Sequence, residues 1–296
     1  MANEDVEMAP WKRKVKGFWE AFKRSKLGMT GLILLLIFLI IAITAPIIAP
    51  YPVYGPESRV GIPFEPPSNE HWLGCDELGR DLFSQLLWGT RVSLFVGFLA
   101  ALMATFIGLI IGIVSGYFGG VIDDLLMRIT DIILVIPGLP FMIILAAVLG
   151  PSIINIVFVI GILGWTGTAR LIRSQVLSLK ERPFVEAARA AGASDAHIMF
   201  KHIMPNVMPL AFAQMILGVS GAVLSEAGLS FLGLGDPTHI SWGMMLHYAY
   251  EFGALHIGAW WYVIPPGILI TAVVVAFTFM GYAFDEILNP KYRRRR

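Results

Sequence analysis

Six histidines (His71, His197, His202, His239, His247 and His256) and one cysteine, Cys75, are the side chains of this 296-residue chain best suited to metal or nucleophilic chemistry. Their spacing argues against both. No two histidines stand four apart, and His247 with Glu251 is the nearest approach to a helical ligand pair, which reads as an interfacial hydrogen bond. A single cysteine excludes an intrachain disulfide and a cluster of thiolates. No G-x-x-x-x-G-K-[ST], H-E-x-x-H or G-x-S-x-G pattern occurs, so neither a phosphate-cradling loop nor a nucleophile elbow is present. We expect no catalytic residue, no metal site and no cofactor held by this chain.

Charges set among apolar residues are more informative. Asp124, Arg128 and Asp131 recur at helical spacing and share a face, where they are expected to pair, either anchoring a helix end or gating a path. Glu226 stands about one turn inside the end of another apolar run. An acid there prefers protein or water to lipid, so it is expected to face a translocation path or to pair with Arg80 or Arg91.

The elements that must position these groups follow from composition. Hydrophobic residues make up 56% of the chain and charged residues 15%. Soluble domains carry about 25% charge, and with a mean hydropathy of +0.72 this chain cannot cover its own surface with polar groups. That excludes a disordered segment, a coiled coil, a disulfide-rich secreted module and a nucleic-acid-binding domain. The expected fold is an all-α integral membrane protein with six transmembrane helices. The apolar runs cover 27–50, 92–115, the stretch after Asp124 to Leu149, 153–168, 207–231 and 262–284. The first is too long for a signal peptide and lacks a small-residue cleavage pattern, so it reads as a retained helix.

Residues 1–26 form a basic arm in which Trp11, Val15, Phe18, Trp19 and Phe22 fall on one helical face, as expected of a helix lying on an anionic bilayer surface. Residues 51–88 are polar and rich in Pro and Gly, residues 89–285 hold the other five helices, and residues 286–296 form a basic tail. Of the 22 Lys and Arg residues, only Arg59, Arg80 and Arg91 fall on the side opposite the termini. Both termini are therefore expected in the cytoplasm and residues 51–88 outside it.

The stretch from Phe184 to Asn206 favours a helix-turn-helix on the cytoplasmic face. Glu186, Ala187, Ala188 and the alanines after Arg189 form helix readily and leave a smooth face. Gly192 allows a turn at positive φ, Ser194 with Asp195 can open a second helix, and Pro205 is expected to end it. On these residues alone, a plain amphipathic connector is the competing reading.

This stretch, with Glu186, Ala187, Ala188 and Gly192 followed by Ala193, Ser194 and Asp195, resembles the E-A-A-x-x-x-G loop of type I ABC importers. The segment His71 to Asp81, with Gly74, Asp76, Gly79, Arg80 and Asp81, resembles a signature of the C-type permease of dipeptide and oligopeptide importers. Ser225 to Gly235, Ser241-Trp242-Gly243, Asp131 and Pro137 resemble further signatures of that branch, and the likeness runs in order over about 27–290. Cys75 stands where the signature has Thr, and Met204 where it has Leu.

The resemblance implies a permease with its coupling helix on the cytoplasmic loop, in a prokaryotic inner membrane. Its implied partners are a homologous B-type permease, two cytosolic ABC ATPases carrying ATP and magnesium, an external binding protein and the lipid bilayer. Nucleic acid is not among them. Nickel, glutathione and oligosaccharide importers resemble the same branch. A secondary transporter or channel working without an ATPase is the alternative of another class, though no half-to-half similarity supports it.

Overall fold

The computed structural model describes the backbone of residues 10–288 and the side chains of residues 16–287. Trp11 and Val15 of the aromatic stripe, Lys12, Arg13 and Lys14, and the basic tail 291–296 lie outside the described side chains. Helices dominate, and no named strand occurs among the described residues. In chain order they are α1 (Pro10–Arg24), α2 (Lys26–Ile48), α3 (Leu82–Phe118), α4 (Gly120–Val135), α5 (Gly138–Leu149), α6 (Ile153–Gly164) and α7 (Thr166–Lys180). There follow α8 (Pro183–Ala190), α9 (Asp195–His197), α10 (Met204–Leu229), α11 (Trp242–Glu251) and α12 (Trp260–Leu288).

Four helical segments are long and apolar enough to cross a bilayer: α2, α3, the 40-residue rod Asp195–Leu234 and α12. The bent pairs α4–α5 and α6–α7 bring the number to six if each makes one crossing. Large apolar side chains such as Ile40, Phe106, Val135 and Ile268 stand exposed on these helices, which only lipid or another membrane chain can cover.

Helix α3 is the spine. Asp81 caps its first turn by accepting from the Ser84 amide at 2.7 Å, and Gly119 at φ 67° stops it 37 residues later. Its glycines Gly108, Gly112 and Gly116 form a small-residue stripe along which α7 lies backbone to backbone. A Cβ on Gly112 would come within 2.7 Å of both the Ala169 carbonyl oxygen and Ile172 Cβ. Helix α10 packs another flank of α3, and α12 lies between α10 and α2.

Three expectations are corrected. The apolar stretch from Asp124 to Leu149 is two helices at 90°, α4 and α5, rather than one rod. Pro137 pushes Ile136 into extended backbone (φ −72°, ψ 128°), which ends α4. Pro205, expected to terminate a helix, instead sits in the first turn of α10 within the continuous rod. The π-helical segment Ile198–Ile203, closed by the Met204 amide on the Met199 carbonyl, widens the turn just before it. The aromatic stripe of α1 is also not free for lipid along its whole length. Phe22 is buried, and Phe18 and Phe22 meet Phe284 of α12 in a tilted and an edge-on contact, at 5.0 and 5.6 Å between ring centroids. Trp19 stays exposed, with Lys23 Nζ over its ring at 5.2 Å.

Candidate coupling loop and polar sites

Helix α8 opens with Pro183 in its first turn, where a missing N–H costs nothing, and it closes in a Schellman turn. The Gly192 amide donates to the Arg189 carbonyl at 3.0 Å, and the Ala193 amide to the Ala188 carbonyl at 3.1 Å. Gly192 sits at φ 81° with nothing within 4 Å of where a Cβ would point, so the backbone angle rather than crowding selects glycine. Ser194 then caps α9 by accepting from the His197 amide at 3.3 Å, with Asp195 in the first turn. Glu186, Ala187, Ser194 and Asp195 are exposed, whereas Ala188 and Ala193 are partly covered.

What fixes this loop to the membrane helices is a second apolar core. Val185 of α8 and Ile198 after α9 are fully buried against a cluster that includes Ile113 of α3, Ile172 and Val176 of α7, and Val207 of α10. Tyr117, in the last turn of α3, adds a polar link by donating its hydroxyl to Asp195 Oδ1 at 2.6 Å. Nothing in the sequence pointed to Tyr117, because it stands 78 positions from its partner.

At the other end of α3 the segment 51–81 folds over the helix start. Asp76 is fully buried and accepts from the Leu78 and Arg80 amides at 2.9 and 2.8 Å, from Arg80 Nε at 2.6 Å and from Gln85 Nε2 at 2.7 Å. Glu77 receives Arg80 NH2 at 3.2 Å and the Tyr262 hydroxyl at 2.7 Å. Burial, then repulsion from Asp76, pushes the Glu77 carboxyl above its ordinary range. Burial pulls on the Arg80 guanidinium, but Asp76 outweighs it and holds that group above its usual value. Gly74 and Gly79 both have positive φ, and a Cβ on Gly79 would meet the Gly61 carbonyl at 2.3 Å. The five signature residues Gly74, Asp76, Gly79, Arg80 and Asp81 thus belong to one compact turn. Cys75 is fully buried within it, its thiol pushed up to about 12 by burial and by Glu65, Asp81 and Asp76.

Glu226 pairs with neither Arg80 nor Arg91, a correction to the sequence reading. Its carboxyl group is buried and accepts from Ser230 Oγ at 2.8 Å and Ser93 Oγ at 3.3 Å. Arg80 is committed to Asp76 and Glu77, while Arg91 stacks on Trp88 at 5.0 Å. The Ser225–Gly235 and Ser241–Gly243 motifs therefore meet in space. Trp242, fully buried, donates from Nε1 to the Leu86 carbonyl at 3.1 Å.

The expected pairing within Asp124, Arg128 and Asp131 is also replaced. Asp131 pairs with Arg170 of α7, Asp123 takes Arg173 and Ser115, and Asp124 and Arg128 stay exposed. The α4–α7 contact competes for these charges because α7 runs alongside. His247 and Glu251 do meet, at 3.3 Å, and His247 Nδ1 lies 2.9 Å from the Phe231 carbonyl.

With this geometry in view, comparison with known proteins is decisive. Residues 108–294 match the model of the binding-protein-dependent transport system inner membrane component, and residues 15–67 that of the N-terminal TM domain of oligopeptide transport permease C. The chain belongs to the binding-protein-dependent transport permeases. It is 38% identical to the dipeptide transport system permease protein DppC of Bacillus subtilis (strain 168) over 279 residues, 93% of this chain and 85% of that protein. It is also 38% identical to the oligopeptide transport system permease protein OppC of the same organism, over 92% of this chain and 88% of that protein. The glutathione transport system permease protein GsiD of Escherichia coli O6:K15:H31 (strain 536 / UPEC) is 34% identical, covering 99% and 94%. This permease is a multi-pass membrane protein of that family.

Proposed function

We propose that this permease is one of two membrane subunits of an ATP-driven importer of dipeptides or oligopeptides in a prokaryotic inner membrane. Both termini and the 183–203 loop face the cytoplasm, and an external binding protein delivers substrate to the 51–81 side. A homologous B-type permease covers the exposed apolar faces of α4 and α5. Two cytosolic ABC ATPases carry ATP and magnesium, and α8 with the turn at Gly192 seats in a cleft of one of them. ATP-driven closure moves the loop as a rigid body, and α3, α7 and α10 follow because Val185 and Ile198 are locked between them.

The observation that carries this reading is that combination: a short helix pair exposed on one side and bolted to three membrane helices on the other. The half-exposed Asp131–Arg170 pair fits it too, since such charges need a partner chain or a water-filled path. The test is reconstitution of the permease pair, ATPases and binding protein in vesicles. Peptide should stimulate ATP hydrolysis and accumulate inside. Substrate uptake by the permeases without the ATPases overturns the reading, and stimulation by glutathione but not peptide reassigns the cargo.

A further inference from the structure

Three side chains of the 51–81 turn bring metal-ligating atoms together, although Glu65 Oε2 also accepts from the Ile62 amide at 3.2 Å. Glu65, His71 and Cys75 each offer one ligand atom, and these atoms lie within 4.8 Å of one another. Gly61 lines the cluster: a Cβ built on it would stand 2.6 Å from Cys75 Sγ, 2.7 Å from Glu65 Oε2 and 3.0 Å from His71 Nε2, so a larger residue there would push the three ligand atoms apart. The histidine is pre-oriented, because its Nδ1 is 3.2 Å from Asp81 Oδ1 and its Nε2 faces the other two ligand atoms. A carboxylate behind a histidine in this way fixes the tautomer of a metal-ligating imidazole.

The backbone holds the cluster together. The Cys75 amide donates to the Glu65 carbonyl at 2.9 Å, and the Phe64 amide to the Asp76 carbonyl at 2.9 Å. Phe64, just before Glu65, is kept at φ 54°, a region that non-glycine residues seldom enter. His71 and Cys75 are both buried.

We infer that Glu65, His71 and Cys75 form a metal site for a zinc-class divalent cation, with Asp81 as the positioning residue behind His71. Thiolate, imidazole and carboxylate together suit zinc, whose bonds of about 2.0–2.3 Å require the three side chains to draw in slightly around the ion. On binding, the thiol loses its proton to water, a sulfur–metal bond forms, and a water molecule takes the fourth position. The ion would staple the Gly61 to Asp81 turn over the start of α3.

The test uses the full chain, purified and stripped with chelator, titrated with Co²⁺ alone and then with Zn²⁺. A thiolate-to-cobalt band should saturate at one ion per chain and vanish as Zn²⁺ displaces Co²⁺. Cys75→Ser should abolish the band. Glu65→Gln should weaken binding, and Asp81→Asn, which keeps a helix-capping side chain, should weaken it by about 10–100-fold. Helix content by circular dichroism confirms that each variant is folded. A wild-type chain of native helix content that shows no sulfur band overturns the inference, as does unchanged Co²⁺ affinity in both Cys75→Ser and Glu65→Gln.

Discussion

Tyr117 and Asp195 join the end of α3 to the beginning of α9 by a hydrogen bond of 2.6 Å. The two residues belong to elements that the chain separates by α4 through α8, yet they form one joint between the membrane spine and the turn after Gly192. The apolar contacts of Val185 and Ile198 fasten the same loop to the membrane helices.

Tyr117→Phe keeps the buried ring and deletes the hydroxyl. Asp195 is exposed and regains water, so the net stability loss should be about 1 kcal/mol. Transport per ATP hydrolysed should fall more than stability does. Measuring both in reconstituted vesicles checks this, and an unchanged ratio would assign the link to packing alone.

Gly192→Val places a β-branched residue at φ 81°, at a cost of about 1–2 kcal/mol, and should distort the Schellman turn. Because Val185 and Ile198 remain, the membrane bundle should stay folded. ATPase capture by the purified permease should drop sharply, as it should for Glu186→Lys, while exposed Glu181→Ala behaves as wild type. Normal capture and normal coupled transport in both loop variants would reduce the loop to a connector.

Orientation can be read chemically. Cys75 is fully buried and should stay unlabelled in the native chain, so single added cysteines report cleanly. A cysteine at exposed Pro237 should react with an impermeant maleimide from outside intact cells, and one at Arg189 should not. Labelling at position 189 from outside reverses the topology.

Gly112→Leu should destabilise the bundle by about 1–3 kcal/mol or more, since its side chain meets the Ala169 carbonyl rather than a yielding side chain. The thermal midpoint of the detergent-purified permease measures this. Gly167→Ala, with open space at its Cβ, serves as the control.

Asp236 joins the loop before α11 to the start of α6. It is partly buried, which raises its pKa, but hydrogen bonds from the Thr238 hydroxyl and amide, the Ile153 amide and His239 outweigh that and hold its carboxyl below the ordinary aspartate range. A carboxyl depressed in the folded state stabilises fully above its unfolded value and loses that contribution as pH falls through the folded one. The thermal midpoint of the wild type should therefore drop more steeply than that of Asp236→Asn as pH falls below the ordinary aspartate range, and the two curves should run parallel near neutrality.

Helices α2, α3 and α12 were legible because each carries a long uncharged run, which one sequence displays without reference to any other part of the chain. The turn at Gly192 was legible for a similar reason, since capping and positive φ are decided within a few residues. What stayed hidden depends on neighbours far along the chain. Glu226 finds its hydroxyl at Ser93, 133 positions away, and Asp131 finds Arg170 rather than the nearer Arg128. Hydropathy also has no sensitivity to direction, so the apolar stretch containing Pro137 read as one rod although it folds back at 90°. Phe18 and Phe22 show the same limit, because a stripe suited to lipid is equally suited to Phe284.

The length of α3 has a consequence for the bilayer around it. Thirty-seven residues make a rod of about 55 Å. Even tilted by about 40°, it still reaches about 42 Å along the membrane normal, against a hydrocarbon layer of about 30 Å. Its two ends are both committed, to the Asp76 turn at one and to the Asp195 joint at the other. A membrane that thickens or thins therefore changes the angle of the rod rather than its fraying, and acyl-chain length becomes a variable that acts on the loop from within the lipid.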